Sequence, residues 1–591
     1  MPGPRTSIYP VPGKRGSVRT TALLTAGLLA GATVTIPVEA LAQAQASPPP
    51  SSLPNAQQLN PAQLAQPKPR QSDDVFAAPA PGPCPMAASS LKFTLASVRF
   101  SGAEGVRNLD LSQAYRGMVG RTLSLQDVCD IRDRAADLLF RAGVLARVDI
   151  PEQTIASGQL TLAVTTAHVV AVYVKGDAGQ AKDKVADYIE KLRGMKPFDL
   201  RQAQRYLLLA SDVPGVRVQA SLRPSAGTEP GAVDFYVYVS YQPVTTTVSV
   251  QNTGSKALGP DSVLGRVDFN GLTPWGDKTS LILYTTTDLR EQTVAQAVEE
   301  ARVGNEGWLV RGSVSYGKTE PGDTLKALGL VGTSWVTSLE ADYPIIRARR
   351  RNLSLALGFD AVEQKLDVTG ANLSNDKLRV LHLALSGFQS WQPASGGWPT
   401  GFVSAGMEIR QGLNGFGASK AGQTNLSRFD AQPDATVERF NARLDLRVNL
   451  VSLDMVGQYQ TTNKVLLTYE DFVVGNLTIG RGYDPSALEG DRGYGLSTEL
   501  GVGPFAIYRP QRGYGVAASV FTFYDLAHVD NLSQGGIRRT VHSTGVGVRA
   551  DLGRSYRLEV TYAHPQDDPN PNDNPPHRPS DRVLVTLTAR F

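Results

Sequence analysis

Two short stretches hold the residues best placed for chemistry. The first is IGRGYDPSALEGDRGYG, Ile479 to Gly495, where an arginine stands between Gly480 and Gly482 and is followed by Tyr483. Glycines allow close approach and unusual backbone angles, and a guanidinium offers a planar five-donor fork that suits a carboxylate. The stretch is either an exposed turn with a solvated arginine or a loop that carries Arg481 to an acidic partner. Arg-Gly-Tyr recurs at Arg481, Arg492 and Arg512, so the tripeptide alone does not choose among them. Arg481 is singled out because it follows the strand-like run Phe472 to Ile479 and precedes Gly-Asp-Arg-Gly-Tyr-Gly. The second stretch is FTFYDLAHV, in which Phe521, Phe523 and Asp525 fall on one face of a strand.

Other chemistry finds little footing. The 6 histidines are scattered and no Gly-x-Ser-x-Gly element accompanies them, so no catalytic triad is expected. Asp525, Glu499 and Asp445 are better read as lumenal charges than as paired catalytic carboxylates. No phosphate-binding loop is expected and therefore no motor. The 2 cysteines, Cys84 and Cys129, lack a His or Asp cluster and give no metal signal; no cofactor is expected. In an exported chain they would meet an oxidising compartment and form one disulfide; the alternative is a small buried Cys129 on a helix with Cys84 a free thiol. A formal charge of +4, with no basic block beyond Arg347 to Arg351, excludes nucleic acid as an expected partner.

The elements that must position these residues begin after an N-terminal lead. Arg5, Lys14, Arg15 and Arg19 precede an apolar run from Ala22 to Val38 and small-residue sites at Ala40 to Ala44, the pattern of a secretory signal peptide. The other reading is a membrane-anchoring helix, but the run is short and contains Gly27, Gly31 and Pro37. A Pro-rich segment follows, Ser47 to Met86, extended except for a possible short helix at Asn55 to Gln66. From Leu91 the pattern becomes strand, helix and two strands: Phe93 to Phe100, a helix capped by Ser124 with Asp127 three residues on, then Arg147 to Ile150 and Gln159 to Thr165. The order recurs with Val169 to Val174, a helix over Ala181 to Arg193, a second capped by Asp199, and strands Val216 to Leu222 and Val233 to Tyr241. Gly102 and Gly176, and the caps Ser124 and Asp199, are offset almost equally, which implies a tandem β-α-α-β-β repeat.

Beyond Pro243 alternation of period two replaces helical spacing. Leu353, Leu355, Leu357 and Phe359; Ala442 to Leu450; Tyr556 to Tyr562; and Val583 to Phe591 each set apolar residues against polar ones. Soluble sandwiches alternate too, but Arg443, Asp445 and Arg447 on one face suit a watery lumen while the opposite face suits lipid. Roughly 350 residues at about 20 to 24 per strand and connection predict a transmembrane β-barrel of about 16 antiparallel strands, within a range of about 14 to 18.

The chain resembles the outer-membrane transporters of two-partner secretion, the haemolysin and filamentous-haemagglutinin exporters. The resemblance rests on the signal peptide, a tandem pair similar to polypeptide-transport-associated (POTRA) domains, the placement of Cys84 and Cys129, YPIIRARRRNLSL at Tyr343 to Leu355, the terminal Phe591, and above all IGRGYD followed by EGDRGYG. Gly480 stands where the family usually has a residue such as Val or Ser, and Ala527 where it has a glycine after the aspartate. The resemblance implies a signal peptide at 1–44, a linker with a possible plug helix at 45–90, POTRA-like domains at 91–167 and 168–242, and the barrel at 243–591. It implies that Gly480, Arg481, Gly482 and Tyr483 form an inward lumenal loop paired with Asp525, and that Phe591 is an assembly signal. The implied function is not enzymatic: a partner exoprotein, whether adhesin, haemolysin or toxin, is recognised in the periplasm of a Gram-negative cell and secreted unfolded through the pore. Outer-membrane lipid and the barrel-assembly machinery are the other implied partners. The alternative within the same superfamily is a barrel-assembly or insertion factor.

Overall fold

The computed structural model describes residues 83–84 and 89–591 except 105, 107–108, 156, 227–228, 393–398, 509–514, 534 and 571–578, together with residues 53, 55–56 and 58–61. The signal-peptide reading, Arg512 and most of the Pro-rich segment lie outside the described residues.

Helix α1, Leu125–Arg141, starts where the sequence marks it. The Ser124 side chain accepts from the Asp127 amide while the Asp127 carboxylate accepts from the Ser124 amide, so two amides that a helix N-terminus leaves open are satisfied reciprocally. These hydrogen bonds, the Ser124 side chain's first, hold the half-buried Asp127 carboxyl below its usual range. Val128, Ile131, Ala135 and Leu139 recur on one face and close over a small sheet together with Leu95, Leu160 and Leu162. In that sheet Gln159–Thr166 lies between Ser97–Ser101, which runs parallel to it, and Ala146–Asp149, which runs antiparallel. The expected first strand is in fact two pieces, Lys92–Thr94 and Ser97–Ser101, because Lys92–Thr94 pairs instead with Thr122–Ser124. The first helix of this copy is only a 3₁₀ segment, Leu111–Tyr115, capped by Asp110.

Cys84 and Cys129 form a disulfide, with Cα atoms 5.8 Å apart across a sequence separation of 45. Closing a loop of that length restricts the unfolded chain, so Cys84→Ser is expected to lower the stability of this module by about 2–4 kcal/mol, read from its thermal transition with and without reductant.

The second copy places α2, Lys182–Glu190, and α3, Leu200–Ser211, over a sheet in which Ala232–Tyr241 lies between His168–Gly176 and Val216–Pro224. Asp199 caps α3 by accepting from the amides of Arg201 and Gln202. Tyr188, Phe198, Leu207 and Phe235 form its core. This module is fastened to the barrel rim. Arg347 grips Asp212 with two bonds of 2.7 Å, Arg302 donates to the Asp212 carbonyl, and Arg205 donates to the carbonyls of Pro344 and Glu306. The Glu306 carboxylate also accepts from Lys191 and Tyr206.

From Val244–Gln251 to Arg582–Arg590 sixteen strands close into one antiparallel barrel. Its wall sorts side chains as the alternation predicts: Leu355, Leu357, Leu381, Leu383, Tyr524, Tyr562 and Leu587 are exposed on the outside. Ser334, Asp360, Gln364 and Asp525 are buried within. Strand Arg582–Arg590 closes on Val244–Gln251 through a short register from Thr586↔Gln251 to Arg590↔Thr247. Phe591 extends this last strand, exchanging backbone hydrogen bonds with Thr246 and packing edge-on against Tyr556.

One sequence expectation needs correcting. GSVSYGKT at Gly312 to Thr319 does match the spacing of a phosphate-binding loop. It lies wholly within the barrel strand Trp308–Thr319, with neighbours paired on both sides. Its amides are spent on the sheet and no helix begins after it, so nothing there can cradle a phosphate.

Candidate functional site: an inward loop and its two anchor clusters

Strand Val451–Thr461 ends at the rim opposite the modules, and the chain re-enters the wall only at Arg492–Tyr508. The intervening residues, 462–491, turn back into the lumen. A short hairpin, Phe472–Val474 with Leu488–Gly490, stiffens the excursion, and the tip carries the Gly-Arg-Gly-Tyr element. Ile479 and Tyr483 are buried there with Leu488, Ala527, Val529 and Val541. Ala527 is therefore part of the seat on which the tip rests.

The glycines act as physical necessity requires. Gly480 has φ +119, in the range that side chains avoid, and a Cβ on Gly482 would come within 2.8 Å of Ser543 Cβ and 2.9 Å of the Pro565 nitrogen. The Gly482 amide donates to Ser543 Oγ at 3.2 Å. A larger residue at 482 would lift the tip off the wall.

Between them, Arg481 spends its fork. Nη2 and Nε reach the two Asp525 carboxylate oxygens at 2.9 and 3.1 Å, and the Arg481 amide adds a third bond at 2.9 Å. Nη1 donates to Glu499 at 3.1 Å and Nη2 to Ser497 Oγ at 2.9 Å. The guanidinium lies 3.6 Å from the centroid of Phe523, so the aromatic neighbour of the aspartate forms the floor of the site. Asp525 is 1 % exposed and receives a further bond from Ser497. From Glu499 the network continues to Arg549, stacked 3.9 Å from Phe521, and from Arg549 to Glu559. One loop residue thus sits at the end of an alternating charge ladder along neighbouring wall strands.

Tyr483 extends the grip by donating to the His542 carbonyl at 2.8 Å. Asp484 pairs with Arg582 of the closing strand, and Asn476 donates to the Thr253 carbonyl. Arg492 closes the base of the loop through the Thr462 carbonyl. Of the three Arg-Gly-Tyr arginines, the first reaches the lumenal aspartate and the second serves the loop's root.

Two further clusters were not foreseen from sequence. Buried Arg410 of the wall donates to Asp360 at 2.8 Å and to Glu470 at 2.9 and 3.0 Å, while Arg439 adds a bond to Glu470 at 2.8 Å. At the far rim, Arg428 of loop 413–435 meets Asp491 at 2.8 and 3.0 Å, Asp471 at 2.9 Å, and Asn531 and Ser533 at 2.7 Å. Asp491 is 0 % exposed and also accepts from the amides of Leu466 and Leu532. Three separate rim loops therefore converge on one arginine and one buried carboxylate. The only sequence signal was Asp491, inside EGDRGYG; Arg428 lies in an aperiodic loop.

The described residues between 53 and 61 of the Pro-rich segment lie inside the same lumen. Leu59 is buried with Leu264, Tyr284, Val294 and Val336, and Asn55 donates to Ser486 of the inward loop at 2.8 Å. The Leu59 amide donates to the Asn55 carbonyl at 3.0 Å, one helical turn. Beside it remains a cavity of about 430 Å³ lined by Arg311, Asp360, His382, Arg410 and Arg439. The lumen is thus polar and occupied by chain segments held to its wall through side-chain hydrogen bonds and ion pairs.

Comparison with known proteins agrees with this geometry. Residues 235–550 match the family described as haemolysin secretion/activation protein ShlB/FhaC/HecB, and residues 93–166 match the ShlB-type POTRA domain. The chain is 24% identical over 531 residues to the heme/hemopexin transporter protein HuxB of Haemophilus influenzae strain 86-028NP, covering 85% of this chain and 89% of that one. Its fold is similar to CdiB from Escherichia coli, with a TM-score of 0.69 at 16% identity over 88% of this chain and 94% of that one. It is also similar to CdiB from Acinetobacter baumannii, with a TM-score of 0.60 at 14% identity over 90% and 95%.

Proposed function

The chain belongs to the haemolysin secretion/activation protein family, the ShlB/FhaC/HecB group, and from that premise we propose how this outer-membrane transporter of two-partner secretion handles its partner. The modules sit in the periplasm, where they take up the partner exoprotein in extended form. The barrel then passes it outward as the lumenal segments give way. We assign no reaction to the chain: its charges work in pairs, as anchors. Residues 1–44 serve as the leader that brings it to the periplasm, the barrel-assembly machinery inserts it with Phe591 as the signal, and lipid surrounds its apolar outer face.

The observation that carries this reading is the anchorage of loop 462–491 at both its tip and its root. Arg481 holds the tip against Asp525, and Arg428 with Asp491 holds the root among the far-rim loops. The segment around Leu59 rests on the loop through Asn55 and Ser486. Plug, tip and outer loops are thus mechanically linked, and displacement of one loosens the next.

No motor is needed, because a partner that folds outside cannot slide back. The full chain reconstituted in liposomes, with urea-unfolded partner diluted onto the module side, is expected to yield protease-protected partner without nucleotide. A strict ATP requirement would overturn the proposal.

Substitution at Gly480 gives a separate check. Gly480→Val forces a branched side chain into a φ of +119 and is expected to cost about 1–3 kcal/mol locally, seen as faster protease cleavage within 462–491 while the barrel stays folded.

A further inference from the structure

The three-stranded sheets of the two modules have four edge strands, and they differ. Ser97–Ser101 is short and exposes Ser97 and Arg99, and Ala146–Asp149 is four residues long with an Arg147 to Asp149 ion pair at 2.7 Å. Val216–Pro224 exposes Arg217 and Arg223 and ends in a proline. Charges, shortness and proline are the ordinary guards against adding another strand. The fourth edge, His168–Gly176, is bulged between Val169 and Ala171, where the Val169 amide donates to the Met195 carbonyl; past the bulge it runs on to Gly176 with neither proline nor ion pair, and it exposes Val170 at 48 %, Tyr173 at 44 % and Val174 at 50 %. Among the described residues no other module edge exposes a large apolar side chain.

The surface beside this edge is chemically biased. Tyr173 stacks on Tyr236 with ring centroids 4.9 Å apart. Lys175 Nζ and Arg223 Cζ lie 5.3 and 4.8 Å from the Tyr236 centroid. Tyr238, opposite Lys175 in the register, is 38 % exposed. Asp234, opposite Arg223, and Asp177 beyond the strand are the acidic groups nearby. The cations are held over a ring by a weak interaction that leaves their donors available.

We propose that His168–Gly176 is the edge on which the secreted partner docks, as an added strand of alternating apolar and acidic residues. This rests on the transporter reading above and specifies its capture step. Backbone pairing with an edge supplies affinity with little demand on sequence, and the two faces of the strand supply the preference. One face of an added strand meets Tyr173, Tyr236 and Lys175, where carboxylates are favoured; the other lies beside Val172 and Val174, where apolar side chains are favoured.

The test uses full-length protein in detergent and two fluorescein-labelled decapeptides, one alternating valine with glutamate and the other valine with lysine, compared by fluorescence anisotropy. The glutamate peptide is expected to bind at least fivefold more tightly. Lys175→Glu combined with Arg223→Glu, both on the surface, is expected to invert that order, and Val174→Pro to weaken both peptides at least fivefold. Equal binding of the two peptides, no binding of either, or unchanged binding to the charge-reversed chain overturns the proposal. The reconstituted secretion assay decides the transporter reading independently, so loss of this edge leaves that reading standing if partner still crosses.

Discussion

Replacement of Arg481 by alanine is expected to reduce export of the partner at least 100-fold while the barrel still inserts. Asp525 is 1 % exposed and takes three bonds from Arg481, and Glu499 is held partly by the same guanidinium. Removing one member of a buried pair leaves a carboxylate uncompensated at about 3–5 kcal/mol, which the loop avoids by leaving its seat. The closed barrel does not use Arg481 in its strand pairing, so insertion persists. Arg481→Lys separates charge from geometry. An ammonium cannot span both Asp525 oxygens and Glu499 together, and export is expected to fall between the alanine variant and the parent. Secreted partner per inserted barrel, scored by heat-modifiable mobility and surface protease resistance, is the readout. Normal export by Arg481→Ala would remove the tip anchor from the mechanism.

The second large effect is expected at the far rim. Arg428→Ala leaves Asp491, 0 % exposed, and Asp471 facing each other without their shared cation. The same side chain holds Asn531 and Ser533, so loops 413–435, 462–491 and 531–537 lose their common fastening. Unpaired buried carboxylates at about 3–5 kcal/mol exceed what the remaining surface contacts supply, and the outer loops part. In planar bilayers the variant is expected to open at least tenfold more often than the parent, and cells carrying it to admit bulky antibiotics that the parent excludes. Export should persist, because the tip anchor is intact. Currents indistinguishable from the parent would show that the rim loops are held elsewhere.

Much of the architecture was legible because repetition makes local signals additive. Leu353, Leu355, Leu357 and Phe359 each favour one face only weakly, but the same alternation recurring to the last strand leaves a sixteen-strand barrel little competition. Ser124 and Asp199 announced their helices because capping is settled within three residues. What escaped notice depends on contacts distant in sequence. Lys92–Thr94 left the first strand for a partner some thirty positions on, as the pairing with Thr122–Ser124 shows. The phosphate-loop spacing at Gly312 is present in the sequence, but the strand around it leaves it no function. Arg428 and Arg410 sit in sequence surroundings with no distinctive spacing, and only the folded loops bring carboxylates to them. Arg481 was nameable from its flanking glycines and from family resemblance, whereas its bonds to Glu499 and Ser497 were not.

The most direct measurement is the charge exchange, Arg481→Asp with Asp525→Arg, in cells making the partner exoprotein. Each single change is expected to stop export, and the pair to restore it to within about tenfold of the parent, since about 1.4 kcal/mol of residual mismatch corresponds to a factor of ten. The shortfall has a named source: Glu499, which now faces a carboxylate at 481. Recovery of that kind, with equal barrel insertion throughout, would tie the loop tip to the wall as a working contact. A pair no better than its singles, or an Arg481→Asp barrel that exports as the parent does, would contradict the inward anchor.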